Sequence, residues 1–124
     1  MPEVLPRFGD GDHISHAISA TVTGGQVVVM TADRTVAPSA DATHGCAGIA
    51  MYDVVFNAGG PANNVQVTSE GAFYLTASVT LTAGTYVVPA ANGAVAPATA
   101  PDRGIGYVIQ GAAASGQALV QLTL

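Results

Sequence analysis

His13 and His16 stand three residues apart, with Asp10 and Asp12 just upstream. Asp12, His13 and His16 are all types that hold Zn²⁺ or another transition metal. The spacing argues against it. Residues three apart share a face only in a helix, and HISHAISATV (His13–Val22) alternates like a strand, which sends the two imidazoles to opposite faces. Gly9-Asp10-Gly11-Asp12 faintly suggests a Ca²⁺ loop but lacks the further acidic positions and the closing bidentate Glu. A hydrolase needs a Ser, Cys or Thr nucleophile near a His that a carboxylate orients. His44 and Cys46 lie too close in sequence to make such a pair, and there is no Gly-x-Ser-x-Gly elbow. The carboxylates Asp33, Asp41, Asp53, Glu70 and Asp102 follow no spacing that would pair them. The Gly-rich loop NAGGPANN (Asn57–Asn64) lacks the Lys and the strand-to-helix context of a phosphate cradle. No catalytic, cofactor-binding or metal residue is therefore assigned, no cofactor is expected, and the chain is not read as an enzyme. Cys46, between Gly45 and Ala47 with no cation-rich surroundings, is expected to be a buried, inert thiol.

The composition narrows the function classes further. Of 124 residues, 49% are hydrophobic and 9% charged, which excludes a disordered chain. Arg7, Arg34 and Arg103 are the cations, there is no Lys, and the formal net charge is −5. Nucleic acid and anionic membranes both require a basic footprint that is missing here, so neither is expected as a partner. No run approaches the ~20 apolar residues that span a bilayer. Met1-Pro2-Glu3 opens no basic, then apolar, leader. A lone cysteine fits synthesis in a reducing cytoplasm.

Fifteen Gly, seven Pro and abundant Val, Thr and Ala favour short strands joined by tight turns. The expected fold is all-β, a small barrel or sandwich. One stretch is written twice: Gly25–Pro38, GQVVVMTADRTVAP, and Gly84–Pro97, GTYVVPAANGAVAP. Each copy reads as a hairpin, with a β-branched run, a polar tip (Asp33-Arg34 or Asn92-Gly93) and a short return strand. Asn-Gly between such runs is a strong hairpin signal, because both turn residues need φ > 0. The match continues to Gly45 and Gly104, and a looser echo sets Val65-Gln66-Val67-Thr68 against Val120-Gln121-Leu122-Thr123. The loop Ser39–His44 corresponds to Ala98–Arg103, and the strand near Ile49–Tyr52 to Gly104–Gln110.

Further strands are expected over His13–Val22, Val65–Glu70, Ala72–Ala77 and Leu119–Leu124. Gly111–Gly116 reads as a connector with room for one helical turn. Phe73, Tyr74 and Leu75 are expected to anchor the core, since aromatic side chains bury the most area in a chain built from Val and Ala. Residues 1–12 read as an extended arm, in which Pro2 and Pro6 remove donors and Val4, Leu5 and Phe8 offer apolar anchors. Residues 13–124 are read as one β domain.

These residues resemble a known family. An x-x-G-x-x-V strand start, a V-x-V-x-x-x-G-x-F strand pair, L-T-A-G-x-x-V into N-G-x-V, and A-A-x-G-x-x-L-V-x-L at the end are similar to the small capsid decoration (cement) proteins of tailed bacteriophages. The likeness runs over roughly residues 14–124. It implies a compact, β-tulip-like fold and homotrimers seated on the major capsid protein, on the outside of an icosahedral shell. It also implies a stabilising role without catalysis, in a virion protein made in the host cytoplasm. Arms in such proteins contact the shell, which would place Val4, Leu5, Arg7 and Phe8 at an interface. The polar arm and the histidine pair depart from the family pattern. The alternative is a β-sandwich binding module for a glycan or small molecule, against which the absence of Trp and the presence of four Tyr weigh mildly.

Overall fold

The repeated stretch folds the same way twice. The computed structural model describes residues 13–57, 64–99 and 103–124. In it the first copy is the hairpin of β2 (Val27–Ala32) and β3 (Thr35–Pro38), and the second is that of β7 (Tyr86–Pro89) and β8 (Val95–Pro97). Branching at Cβ stiffens Val side chains and suits them to a pleated surface, so these runs form strands. Shifted by 59 residues, the registers coincide. Val28↔Pro38, Val29↔Ala37 and Met30↔Val36 become Val87↔Pro97, Val88↔Ala96 and Pro89↔Val95. The tips differ. Asn92 and Gly93 both take positive φ, 60° and 71°, within a short 3₁₀ turn over Ala91–Gly93. Of Asp33-Arg34, Arg34 alone does so, at 53°, and the ladder slips between Met30 and Ala32.

The duplication extends to every strand. β1 (His13–Ile18) pairs antiparallel with β5 (Asn64–Thr68), and β6 (Ala72–Thr76) pairs likewise with β10 (Gln117–Leu122). β4 (Cys46–Ala50) lies between β2 and β5, as β9 (Gly106–Gln110) lies between β7 and β10. The first five strands close into a barrel in the order β1-β3-β2-β4-β5, and the second five form a sheet in the order β6-β10-β9-β7-β8. The second order is the first traversed in the opposite sense. The barrel closes where β1 runs parallel to β3 at Ala17↔Thr35 and Ile18↔Val36. Among the described residues, the second half makes the matching closure through one parallel bridge, Ala77↔Val95. One close backbone approach recurs as well. A Cβ on Gly48 would lie 2.2 Å from the Thr68 carbonyl oxygen, and one on Gly106 would lie 2.1 Å from that of Gln121.

Several boundaries depart from expectation. β1 stops at Ile18, because the chain bends at Ser19-Ala20 and Val22 joins the structure through an isolated bridge to Val54. The strand expected near Ile49–Tyr52 ends at Ala50, leaving Met51 and Tyr52 exposed. Gly111–Gly116 holds no helical turn, since Ala112 is bridged to Leu81 and a plain turn follows at Ala114-Ser115. The echo of β5 in β10 is displaced by two residues: by register Val65 matches Ala118, and Val67 matches Val120. A two-residue slip preserves which side chains face inward, so the alternation alone cannot detect it. Tyr74 is no core anchor. In β6 the alternation buries Leu75, half-buries Phe73 and turns Tyr74 out to solvent.

Two apolar clusters hold the fold. Inside the first barrel lie Ile18, Val22, Val28, Val36, Ala50, Val65 and Val67. Their counterparts Ala77, Leu81, Val87, Val95, Val108, Ala118 and Val120 form the core of the second half, which also takes in Val27 and Ile49 from the first. Successive strand residues point to opposite faces, so Val27 and Ile49 lie on the outside of the barrel that holds Val28 and Ala50. The outer face of the first half is therefore buried by the second. Hydrogen bonds fasten this junction at the second hairpin tip. Gln26 Nε2 donates to the Asn92 carbonyl (3.1 Å), Gly93 N to the Ser39 carbonyl (3.0 Å), and the buried Ser39 Oγ to the Ala90 carbonyl (2.6 Å).

Candidate functional site: an exposed tyrosine face

Among the described residues, the types that could carry chemistry do not assemble into a reactive centre. His16 lies half-buried on β1, with Nδ1 3.2 Å from the Ile14 carbonyl oxygen. Asp10, Asp12, Asp102, most of the Asn57–Asn64 loop and the arm residues Val4, Leu5, Arg7 and Phe8 lie outside the described residues. Asp41, Thr43 and His44 do meet. Asp41 Oδ1 accepts from Thr43 N (2.9 Å) and Thr43 Oγ1 (2.6 Å), and His44 Nδ1 lies 3.2 Å from that hydroxyl. The bonds from Thr43 hold the Asp41 carboxyl below its ordinary range. All three side chains are exposed, and bonds between near neighbours of this kind stabilise a turn. Asp53 accepts from Gly24 N at 2.7 Å and so ties a loop. Among the described residues, no three His, Cys, Asp or Glu gather into a group able to hold a metal ion.

Cys46 is half-buried on β4, where burial raises its thiol pKa to about 11. Reactivity belongs to the thiolate, and this shift keeps the sulfur protonated at neutral pH.

The unusual feature is a surface. All four tyrosines are exposed, and three of them, Tyr74, Tyr86 and Tyr107, belong to the second sheet. Tyr86 sits directly opposite Tyr107 across β7 and β9, and Tyr107 opposite Gln121 on β10. One row further along, Tyr74 on β6 faces Leu119. Ile109, beside the register shift between β9 and β10, is exposed as well. The Arg103 guanidinium lies 5.9 Å from the centre of the Tyr86 ring, within cation–π range. The result is an exposed aromatic face with Gln121 in the same row.

The corresponding row of the first half is Val27–Ile49–Thr68. Those three residues are 0%, 1% and 2% exposed, against 41% for Tyr86 and 39% for Tyr107. In the first half, the short segment Met51–Phe56 exposes Met51, Tyr52, Val55 and Phe56. Sequence reasoning missed the tyrosine face because its members come from three separate strands. The available signal was the Val27-to-Tyr86 change between the two copies.

No protein-family model matches this chain, and no curated protein matches it. Its fold is similar to one already solved, that of the head fibre gp8.5 N base of bacteriophage phi29, with a TM-score of 0.70 over 90% of this chain and 92% of that one. At 16% sequence identity the likeness is one of fold: the chain shares the all-β architecture of that head-fibre base.

Proposed function

We propose that this chain is a non-enzymatic capsid decoration protein, bound as a homotrimer to the major capsid protein on the outside of an assembled phage head and stabilising the shell. The observation that carries this reading is the fold shared with the phi29 head-fibre base across nearly the whole chain. It agrees with the decoration-protein pattern of the sequence, and the scattered chemistry of the described side chains suits a role by position. A protomer held weakly on its own gains avidity of roughly 10²–10⁴ when linked copies dock together. Three copies related by rotation close a ring through heterologous contacts. An arm such as residues 1–12 could add a strand to an exposed sheet edge of the shell.

The test is to mix purified protein with undecorated heads of the cognate phage, sediment them, and challenge the heads with heat or chelator. Co-sedimentation with a gain in resistance is expected. Failure to bind, or binding without that gain, refutes the role. Deleting residues 1–12 should leave the fold intact and weaken head binding, and equal binding by the truncated chain removes the arm from the interface.

A second reading, a glycan-binding module, draws support from the exposed tyrosines, whose rings suit stacking against sugars. Specific binding on a glycan array that Tyr107→Ala abolishes would favour it.

A further inference from the structure

We infer that the tyrosine face of the second half is a contact between copies of this chain, covered by the Met51–Phe56 segment of a neighbouring copy. The argument starts from the duplication. Two rows at equivalent positions, in the same strand pairings, have opposite fates: Val27–Ile49–Thr68 lies under the second half of the same chain, and Tyr86–Tyr107–Gln121 lies open. The fold thus already contains one instance of this row packed against a unit of its own kind. The outward tyrosines are the position where a further such contact would be made.

The amphipathic character of the exposed row matches an interface that forms after folding. Val and Ile suit permanent burial. Tyr tolerates water before assembly and is among the residues that anchor interfaces.

The distribution of the remaining apolar surface selects the occupant. Of the ten large hydrophobic side chains exposed among the described residues, Tyr74, Tyr86, Tyr107 and Ile109 lie on the second sheet, Met51, Tyr52, Val55 and Phe56 lie in one short segment of the first half, and the other two are Val79 and Leu124. Two different patches on one chain make a head-to-tail contact, which closes into a ring when the rotation between copies allows it. Charge is compatible with the pairing. The copies carry a net −5 and repel at long range, but Arg103 stands at the edge of the tyrosine face, and the segment bears a single carboxylate, Asp53. Cation and anion fall on opposite partners.

This inference rests on the multicopy reading proposed above, and the experiment separates the two. The mass of the full chain is measured in solution across concentration for the native protein, Val55→Asp and Tyr107→Asp. Folding of each variant is checked by circular dichroism and its thermal midpoint. The native chain should associate, and each variant should weaken association by roughly tenfold or more, the loss expected for an interface anchor. In a Cys46→Ser background, Tyr107→Cys protein mixed with Val55→Cys protein and treated with oxidised glutathione, which is reduced as the bond forms, should give the mixed disulfide in preference to either like pair. That result decides the matter even if Tyr107→Asp fails to fold. A native chain that remains single, or an oligomer indifferent to both variants with no mixed disulfide, overturns the inference. So does a glycan ligand on this face that leaves the mass unchanged. If the variants dissociate an oligomer that never binds heads, the inference stands and the head role falls. If heads are bound but the oligomer ignores both variants, the inference falls alone.

Discussion

The first half presents Val27 and Ile49 to the second half; the second half presents Tyr86 and Tyr107 to the outside from the same strand positions. The hairpin tips show the reverse contrast. Asn92-Gly93 of the second half is fastened to Gln26 and Ser39, while Asp33 and Arg34 of the first stand at the surface. Backbone pairing and side-chain environment have therefore diverged separately. Ladder registers persist because a one-residue slip would turn a whole strand inside out. Residues on the outer face change freely once their surroundings differ.

The glycines at the recurring close approach offer a direct test of this backbone equivalence. Gly48→Ala and Gly106→Ala each drive a methyl group into a neighbouring carbonyl, so each should destabilise the protein by at least about 3–5 kcal/mol or prevent folding. Gly48→Ala should be the worse, because φ is also +140° there. Soluble expression and denaturant unfolding would report it, and a mild effect at either site would break the equivalence.

The matched pair Ile49→Ala and Tyr107→Ala addresses the covered and open rows. The first should cost roughly 3 kcal/mol by leaving a cavity, and the second within about 0.5–1 kcal/mol in a single chain. Equal losses on urea titration would erase the distinction.

A smaller effect concerns the junction. Ser39→Ala removes the bond to the Ala90 carbonyl and should cost about 1–2 kcal/mol. Its counterpart Ala98 already lacks a hydroxyl, so Ala98→Ser should change stability by less than about 0.5 kcal/mol.

The least effect is expected at Asp41, whose carboxyl titrates below the ordinary value because Thr43 donates to it. Its folded pKa is depressed, so whatever it contributes is present above its unfolded pKa and lost as pH falls through the folded one. Thr43→Ala should move its NMR titration upward, toward the ordinary value. An unmoved curve would remove Thr43 as the cause.

Much of the fold was legible. Gly25 and Gly84, the Val runs and the Val-Ala-Pro ends marked both hairpins, and Asn92-Gly93 announced its own turn because few residues accept φ > 0 at both positions. The parallel pairing of β1 with β3, which closes the barrel, was not legible, since it joins strands with no shared turn to betray them. Nor was the fate of Tyr74. Its neighbours Phe73 and Leu75 suggested a buried aromatic cluster, and period-two alternation placed Tyr74 on the opposite face. Laying one copy over the other did set Tyr86 against Val27, but which of those rows becomes covered depends on how the halves dock. That is a tertiary fact. No local pattern encodes it.

The lending of Val27 and Ile49 runs in one direction. The first barrel fills its interior from its own strands, whereas the second cannot complete its interior without side chains that precede it in the chain. This asymmetry predicts an order of assembly, in which the first barrel forms from its own strands and then serves as the template for the second sheet. Pulse-labelled amides of β1–β5 should accordingly gain protection no later than those of β6–β10.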